Sequence, residues 1–148
     1  MLQSNIKLSI IIPCYNEENY IKSLLQELLE KIDPFEIIII DDNSSDKSIE
    51  IIESFNQEKI ILLKNDTNRG KGYSLKRGFD KAKGEVICIQ DADPEYSPKD
   101  IEILIEPFSN KNTSLVIGTR FQTKNRRKIG YFYHTVFNKL ITYLVNLK

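Results

Sequence analysis

The sequence predicts an α/β domain with a mostly parallel sheet and helices on both faces. Three observations predict it. Five short apolar runs recur along the chain: Leu8–Ile12, Ile37–Ile40, Ile60–Leu63, Val86–Ile89 and Leu115–Ile117. Four of them are continuous rather than alternating, as strands are when both faces of their sheet are covered. Segments of helical periodicity lie between the runs, so strand and helix alternate four times.

Leu8–Ile12 reads as the first strand, stopped by Pro13. Tyr20, Leu24, Leu28 and Ile32 then fall on one helical stripe, with Ile21, Leu25 and Leu29 beside it. After the second run, Ile49, Ile52 and Phe55 make a second stripe. After the third, Leu75, Phe79 and Ala82 make another, closed by Gly84 near the C-terminal cap position. The fourth helix is expected to open with Ser97 as N-cap, Pro98 in the first turn and Asp100 at the capping-box position. It then carries Ile101, Leu104, Ile105 and Phe108. Leu115–Ile117 is expected to be a fifth strand. No internal repeat, low-complexity segment or linker interrupts this order.

The length of 148 residues suits one domain, and 41% hydrophobic with 28% charged residues is an ordinary globular composition. Collagen, a disordered tail and a disulfide scaffold are excluded. No window of 18 uncharged apolar residues reads as a membrane span, and the first five residues lack the features of a signal peptide. Cys14 and Cys88 each sit inside an apolar run and are expected to be reduced, buried thiols of a cytoplasmic protein. The formal net charge is zero but divided. Residues 1–110 carry 13 basic and 21 acidic residues, a balance of −8; residues 111–148 carry 8 basic residues and no acid. The C-terminal part is therefore expected to face something anionic: phosphates, an acidic membrane or nucleic acid.

In a parallel α/β sheet, ligands bind beyond the carboxyl ends of the strands, near a switch in strand order. After the first run come Pro13, Tyr15 and Glu17, and Tyr15 offers a flat face for a base. After the second come Asp41 and Asp42, which either accept hydrogen bonds from a base or ribose or serve, with Ser44 and Asp46, as helix-cap chemistry. After the third, Asn68-Arg69-Gly70-Lys71-Gly72 has the make-up of a phosphate-cradling loop, although it is not a Walker sequence. After the fourth, Asp91, Asp93 and Glu95 stand on alternate positions. Carboxylates two apart on extended backbone point to one side, and oxygen donors of this kind suit a hard divalent cation; the alternative is an acidic turn closed by Pro94. After the fifth comes Arg120, a phosphate clamp or a plain surface arginine.

Taken in order, Pro13-Cys14-Tyr15-Asn16-Glu17, Asp41-Asp42-Asn43-Ser44, Asn68-Arg69-Gly70-Lys71-Gly72, Gly84-Glu85, Gln90-Asp91-Ala92-Asp93-Pro94-Glu95-Tyr96-Ser97-Pro98 and Gly118-Thr119-Arg120-Phe121 resemble the family-2 glycosyltransferases. The match runs over nearly the whole chain and looks closest to the branch that acts on polyprenyl phosphates. The resemblance implies the GT-A fold, a Rossmann-like sheet, over residues 5–122, with residues 123–148 a basic loop and amphipathic helix at the acceptor or membrane side. It implies that Pro13, Tyr15, Glu17, Ile40 and Asp42 hold the base and ribose, with Gly70 and Lys71 near the phosphates. Asp91 and Ala92 would contact the nucleotide sugar. Asp93 and Glu95, with Asp91, would hold Mg²⁺ or Mn²⁺, and Arg120 would approach the diphosphate or the acceptor phosphate. The implied reaction is inverting transfer of a hexose from a nucleotide diphosphate sugar to a polyprenyl phosphate at the inner face of a membrane; a hydroxyl acceptor and a donor-binding module without independent activity stand as alternatives.

Two further expectations concern the C-terminal part. Ile129, Phe132, Val136, Phe137, Leu140, Ile141, Leu144 and Val145 recur at helical spacing after Arg126-Arg127-Lys128, so this segment is read either as a helix lying in a membrane interface or as one packed on the sheet. His134 within it is not a catalytic candidate. The later acidic motif, which includes the acceptor-side base in many hydroxyl-directed members, has no counterpart here. The nucleotide half is therefore expected to be complete and the acceptor half not. Nucleic acid is not expected as a partner.

Overall fold

The computed structural model describes residues 6–93, 98–110 and 112–118. The chain divides after Ile117 into two units, and the architecture below is that of the first. Among the described residues, four strands alternate with four helices: β1 (Leu8–Cys14), α1 (Ile21–Glu27), β2 (Glu36–Asp41), α2 (Ser48–Ser54), β3 (Ile60–Lys64), α3 (Lys71–Lys81), β4 (Val86–Ile89) and α4 (Lys99–Ile105). A π-helical turn, Leu28–Ile32, prolongs α1, and a 3-10 turn, Glu106–Ser109, follows α4.

All pairings are parallel and the strand order is β3-β2-β1-β4. The continuous isoleucine runs have a direct cause. Alternate side chains serve opposite faces, and both faces are covered along β1 and β2; at β4, where the same cover was expected, Ile87 and Ile89 are exposed. Ile10, Ile12, Ile37 and Ile39 join Ile21, Leu25, Ile52 and Ile101 in one core under α1, α2 and α4. Ile11, Ile38 and Ile40 form the other, with Leu75 and Ala82 of the α3 side.

Four expectations change. Pro13 does not stop the first strand: β1 runs through it to Cys14, paired with β2 at Pro13–Ile40 and Cys14–Asp41, while its pairing with β4 ends at Ile11. Leu115–Ile117 is not a strand. It lies in irregular chain with Leu115 and Ile117 75% and 77% exposed, because three apolar residues become a strand only where a neighbour meets their backbone groups, and none of the described residues does. α3 does form, but its most buried positions are Ser74 and Gly78, while Phe79 is exposed. Its approach is set by small residues: a Cβ on Gly78 would stand 2.5 Å from Ile11 Cγ2. Gly84 is not the cap of α3, which ends at Lys81 with Ala82 in extended conformation. It lies beside β1, where a Cβ would come within 2.6 Å of the Lys7 carbonyl, and its N–H donates to Ser9 Oγ. Ser9 in turn donates to the buried Glu36 carboxylate at 2.6 Å, which locks the end of the sheet opposite the candidate site.

The Ser97 cap, Glu95, Arg120 and the whole of the expected segment 123–148, its helix and His134 included, lie outside the described residues. No described helix is long and apolar enough to cross a membrane.

Candidate functional site

Because every strand is parallel, the loops after β1, β2, β3 and β4 emerge at one end of the sheet. The order β3-β2-β1-β4 puts the reversal of winding between β1 and β4, which is where crevices open in such sheets. Tyr15 and Glu17 stand on one side of it, Asp91 and Asp93 on the other.

Hydrogen bonds tie these loops into one rim. Asn16 and Asn43 adopt left-handed backbone (φ 56° and 66°), a conformation that asparagine tolerates better than most residues. This turns the loop after β1 towards the loop after β2. The Asn16 N–H donates to Ser44 Oγ, and the Ser45 N–H returns to Asn16 Oδ1. The Glu17 N–H donates to Ser48 Oγ, and the Glu18 N–H to Asp46 Oδ2. The Asp46 carboxyl also takes the Ser48 N–H, and these bonds outweigh its partial burial and hold it below the ordinary carboxylate value. Of the acids after β2, Asp46 alone thus meets an N–H of α2, that of its first residue, while Lys47 at the N-cap position makes no side-chain cap bond.

Asp42 links the second loop to the third. Burial alone would raise its carboxyl. Four hydrogen-bonding partners outweigh that: the Arg69 and Gly70 N–H groups, Asn65 and Ser74 lower it on balance. The Arg69 N–H reaches Oδ1 at 2.9 Å and the Gly70 N–H reaches Oδ2 at 2.7 Å. Gly70 carries φ +83°, which glycine adopts at little cost, and α3 starts at the next residue. Asp42 therefore fixes the glycine loop from within as well as standing at the site. Its neighbour Asp41 is wholly buried, with Oδ2 accepting the Ser44 N–H and Oδ1 without a partner among the described residues.

Lys71 links the third loop to the fourth, its Nζ 2.6 Å from Asp91 Oδ1. Asp91 and Asp93 are both half-buried at the end of β4. Glu17 feels them from across the crevice. Burial first, then Asp93, Asp46 and Asp91, push its carboxyl above the ordinary value. The crevice thus concentrates negative charge. Among the described residues no group of three or more His, Cys, Asp or Glu stands ready to hold a metal. Two carboxylates with hard oxygen donors still fit Mg²⁺ or Mn²⁺, which takes one or two protein carboxylates and fills its shell with water and substrate phosphate.

The structure brings together Pro13, Tyr15, Glu17, Asp42, Gly70, Lys71, Asp91 and Asp93 at one end of the sheet. It does not bring the side chains of Ile40 and Ala92 to the open surface. Ile40 is wholly buried beneath α3, near Gly78, and Ala92 belongs to the opposite core; only their backbone is left to face a ligand. Tyr15 is 49% exposed, free to offer a ring face. Cys14, directly behind it, is inert: burial first, then Asp41, push its thiol up to about 12. Both cysteines are free as expected, but only Cys14 is fully buried; Cys88, on the partly open β4, is half-buried. Sequence reasoning missed Asn16, Ser48, Asn65 and Arg77. Only Asn16 carried a local signal, through its place in the Pro13-Cys14-Tyr15-Asn16-Glu17 stretch.

Comparison with known proteins fits this arrangement. The family model described as "Glycosyl transferase family 2" matches residues 9–145. The chain is 30% identical over 140 residues to a dolichyl-phosphate beta-glucosyltransferase of Trichomonas vaginalis, covering 84% of this chain and 43% of that protein. It is 30% identical over 141 residues to a dolichol-phosphate mannosyltransferase of Pyrococcus furiosus, covering 90% and 39%. The fold is similar to a mannosyltransferase of Pyrobaculum calidifontis solved with GDP-Man and Mn²⁺. The TM-score is 0.60 at 25% identity, over 71% of this chain and 34% of that one. The chain therefore spans less than half the length of these relatives.

Proposed function

The chain belongs to glycosyl transferase family 2, and from that premise we propose that it forms the donor-binding part of a metal-dependent, inverting hexosyltransferase. The donor is a nucleotide diphosphate sugar of the GDP-mannose or UDP-glucose type, and the acceptor a polyprenyl phosphate. The observation that carries this reading is the rim itself: four strand-end loops, tied by Asp42, Ser48 and the Lys71–Asp91 pair, enclose an acidic crevice beside an exposed tyrosine.

Each residue has a task in this reading. Tyr15 gives the base a flat partner. Pro13 and Glu17 shape the same wall, and Asp42 holds the loop that presents Gly70 and Lys71 to the phosphates. Asp91 and Asp93, with Glu95, would hold Mg²⁺ or Mn²⁺, whose chemistry is to neutralise the charge that grows on the leaving diphosphate. Lys71, paired here with Asp91, would be within the same crevice to meet a phosphate oxygen, and Arg120 would add a second cation. A lipid phosphate is ionised at neutral pH, so no strong general base is required to activate it. The donor domain would run over residues 5–122. The basic segment at 123–148 would rest on the acidic cytoplasmic face of a membrane. The names of the dolichyl-phosphate relatives support the acceptor, and the neighbour solved with GDP-Man and Mn²⁺ supports the donor and metal.

The test is calorimetric titration of the chain with GDP-mannose and UDP-glucose, with and without Mn²⁺ or Mg²⁺, followed by a transfer assay with a polyprenyl phosphate. One donor is expected to bind in a metal-dependent manner, and Asp93→Asn to abolish that binding. Undiminished, still metal-dependent binding by Asp93→Asn would overturn the metal assignment. Transfer to a sugar hydroxyl but not to the lipid phosphate would overturn the acceptor.

A further inference from the structure

We propose that Asn65, the first residue after β3, is a positioning residue: it orients the Asp42 carboxylate and thereby sets the Arg69-Gly70 loop that opens α3. Asn65 is 6% exposed, and its amide is used at both ends. Arg77 of α3 donates to its Oδ1 and also, at 2.8 Å, to the Lys64 carbonyl. Its Nδ2 donates to Asp42 Oδ1 at 2.6 Å and to Ser74 Oγ at 3.2 Å.

The chemistry leaves little choice of residue. A guanidinium only donates and a carboxylate only accepts. A group bridging them must accept on one side and donate on the other within a short reach, which describes an asparagine amide. Arg77 thereby fixes which way the amide points, and the amide fixes the Asp42 oxygen that also takes the Arg69 N–H. The relay runs from a half-buried cation on α3, through Asn65 and Asp42, to the loop. That this loop then meets donor phosphates rests on the reading given under Proposed function; the relay itself does not.

The order of two substitutions separates positioning from packing. Asn65→Asp keeps the shape and the bond from Arg77 but sets a carboxylate against Asp42. Asn65→Ala removes the contacts, and since Asn65 lines an open pocket of about 320 Å³ with Lys64, Asp66, Arg69, Tyr73 and Arg77, water can reach the gap. A residue that only filled space would tolerate the isosteric Asp better than Ala. The relay requires the reverse.

The experiment is amide hydrogen exchange on the whole chain without nucleotide, followed by donor titration. Protection of the Arg69 and Gly70 amides is expected to fall roughly 10- to 100-fold in Asn65→Asp and less in Asn65→Ala, as for loss of a hydrogen bond to a charged group. Protection of β1 and β2 amides should stay unchanged. Arg77→Gln, at a half-buried position, should lower the same two amides several-fold, and it serves if either Asn65 variant fails to fold. Unchanged protection at Arg69 and Gly70 in Arg77→Gln, or a milder effect of Asp than of Ala, overturns the proposal. If the exchange pattern follows expectation while the wild-type chain binds no donor, the relay stands and the donor reading falls.

Discussion

Replacing Asp42 by asparagine tests the rim where it is most tightly built. Asp42 accepts Asn65 Nδ2 and the Arg69 N–H on Oδ1 and the Gly70 N–H on Oδ2. An asparagine has the same shape but one acceptor oxygen. With that oxygen in the Oδ1 position, two bonds survive as neutral ones and the new amide NH₂ faces the Gly70 N–H. Turned the other way, two bonds are lost. One lost charge-assisted bond and the weakening of the others come to about 2–4 kcal/mol. In a domain of this size that lowers the melting temperature by roughly 6–12 °C. The assay is far-ultraviolet circular dichroism on heating at pH 7. The pH dependence follows from the carboxyl's lowered folded value. A depressed folded value makes the Asp42 contribution complete above the ordinary carboxylate range and removes it as the pH falls through the folded value. The wild-type advantage should thus be full at neutral pH and shrink on acidification. A melting temperature within about 2 °C of wild type at pH 7, against the 6–12 °C worked above, would refute the reasoning. So would an advantage that grows in acid.

Gly78→Ala should lower the urea midpoint by the equivalent of about 1–2 kcal/mol: the helix-propensity gain of up to about 1 kcal/mol loses to overpacking against the wholly buried Ile11 and Ile40. A raised midpoint would mean that α3 can lift off the sheet. Lys71→Met removes an exposed ion pair, worth roughly 0–1 kcal/mol, so melting should hardly move. Donor binding measured by titration with Mn²⁺ present should nevertheless weaken several-fold, since a cation is lost beside the phosphates; equal binding would remove Lys71 from the site. Neither Cys14 nor Cys88, with thiols pushed up to about 12 and about 11 by burial, should react with an aromatic disulfide reagent at pH 8 in the native chain, and both should react in denaturant. Fast native labelling of Cys14 would show that the loop after β1 opens.

The fold was legible where one physical cause dominates. Isoleucine on every position of Ile37–Ile40 has few explanations other than a strand covered on both faces, and β2 is buried along its whole length. Legibility failed where structure depends on a partner rather than on the segment. Leu115–Ile117 carries the strand composition but meets no neighbouring backbone among the described residues. Gly78 looks like a defect in the α3 stripe and is instead the point of closest approach to the sheet. A hydrophobic period counts apolar side chains, so it cannot see a contact made by the absence of one.

The site divides along the same line. Carboxylates placed after strands are visible in sequence, but what each does depends on where its strand lies in the sheet. Asp41 ends β2 and Asp42 follows it; the strand is flanked on both sides, so they turn inward and spend their oxygens on Ser44, Asn65, Arg69 and Gly70. Asp91 and Asp93 follow β4, across the winding reversal from β1, and they stay half-buried at the crevice, with Asp91 met by Lys71. Two Asp-rich stretches of like composition therefore sit differently: the first builds the wall, and the second lines the crevice that the proposed function gives to the donor and metal. Asn65 escaped notice because a single asparagine after a strand has no pattern. Its meaning comes only from the carboxylate and the guanidinium that the fold sets on either side of it.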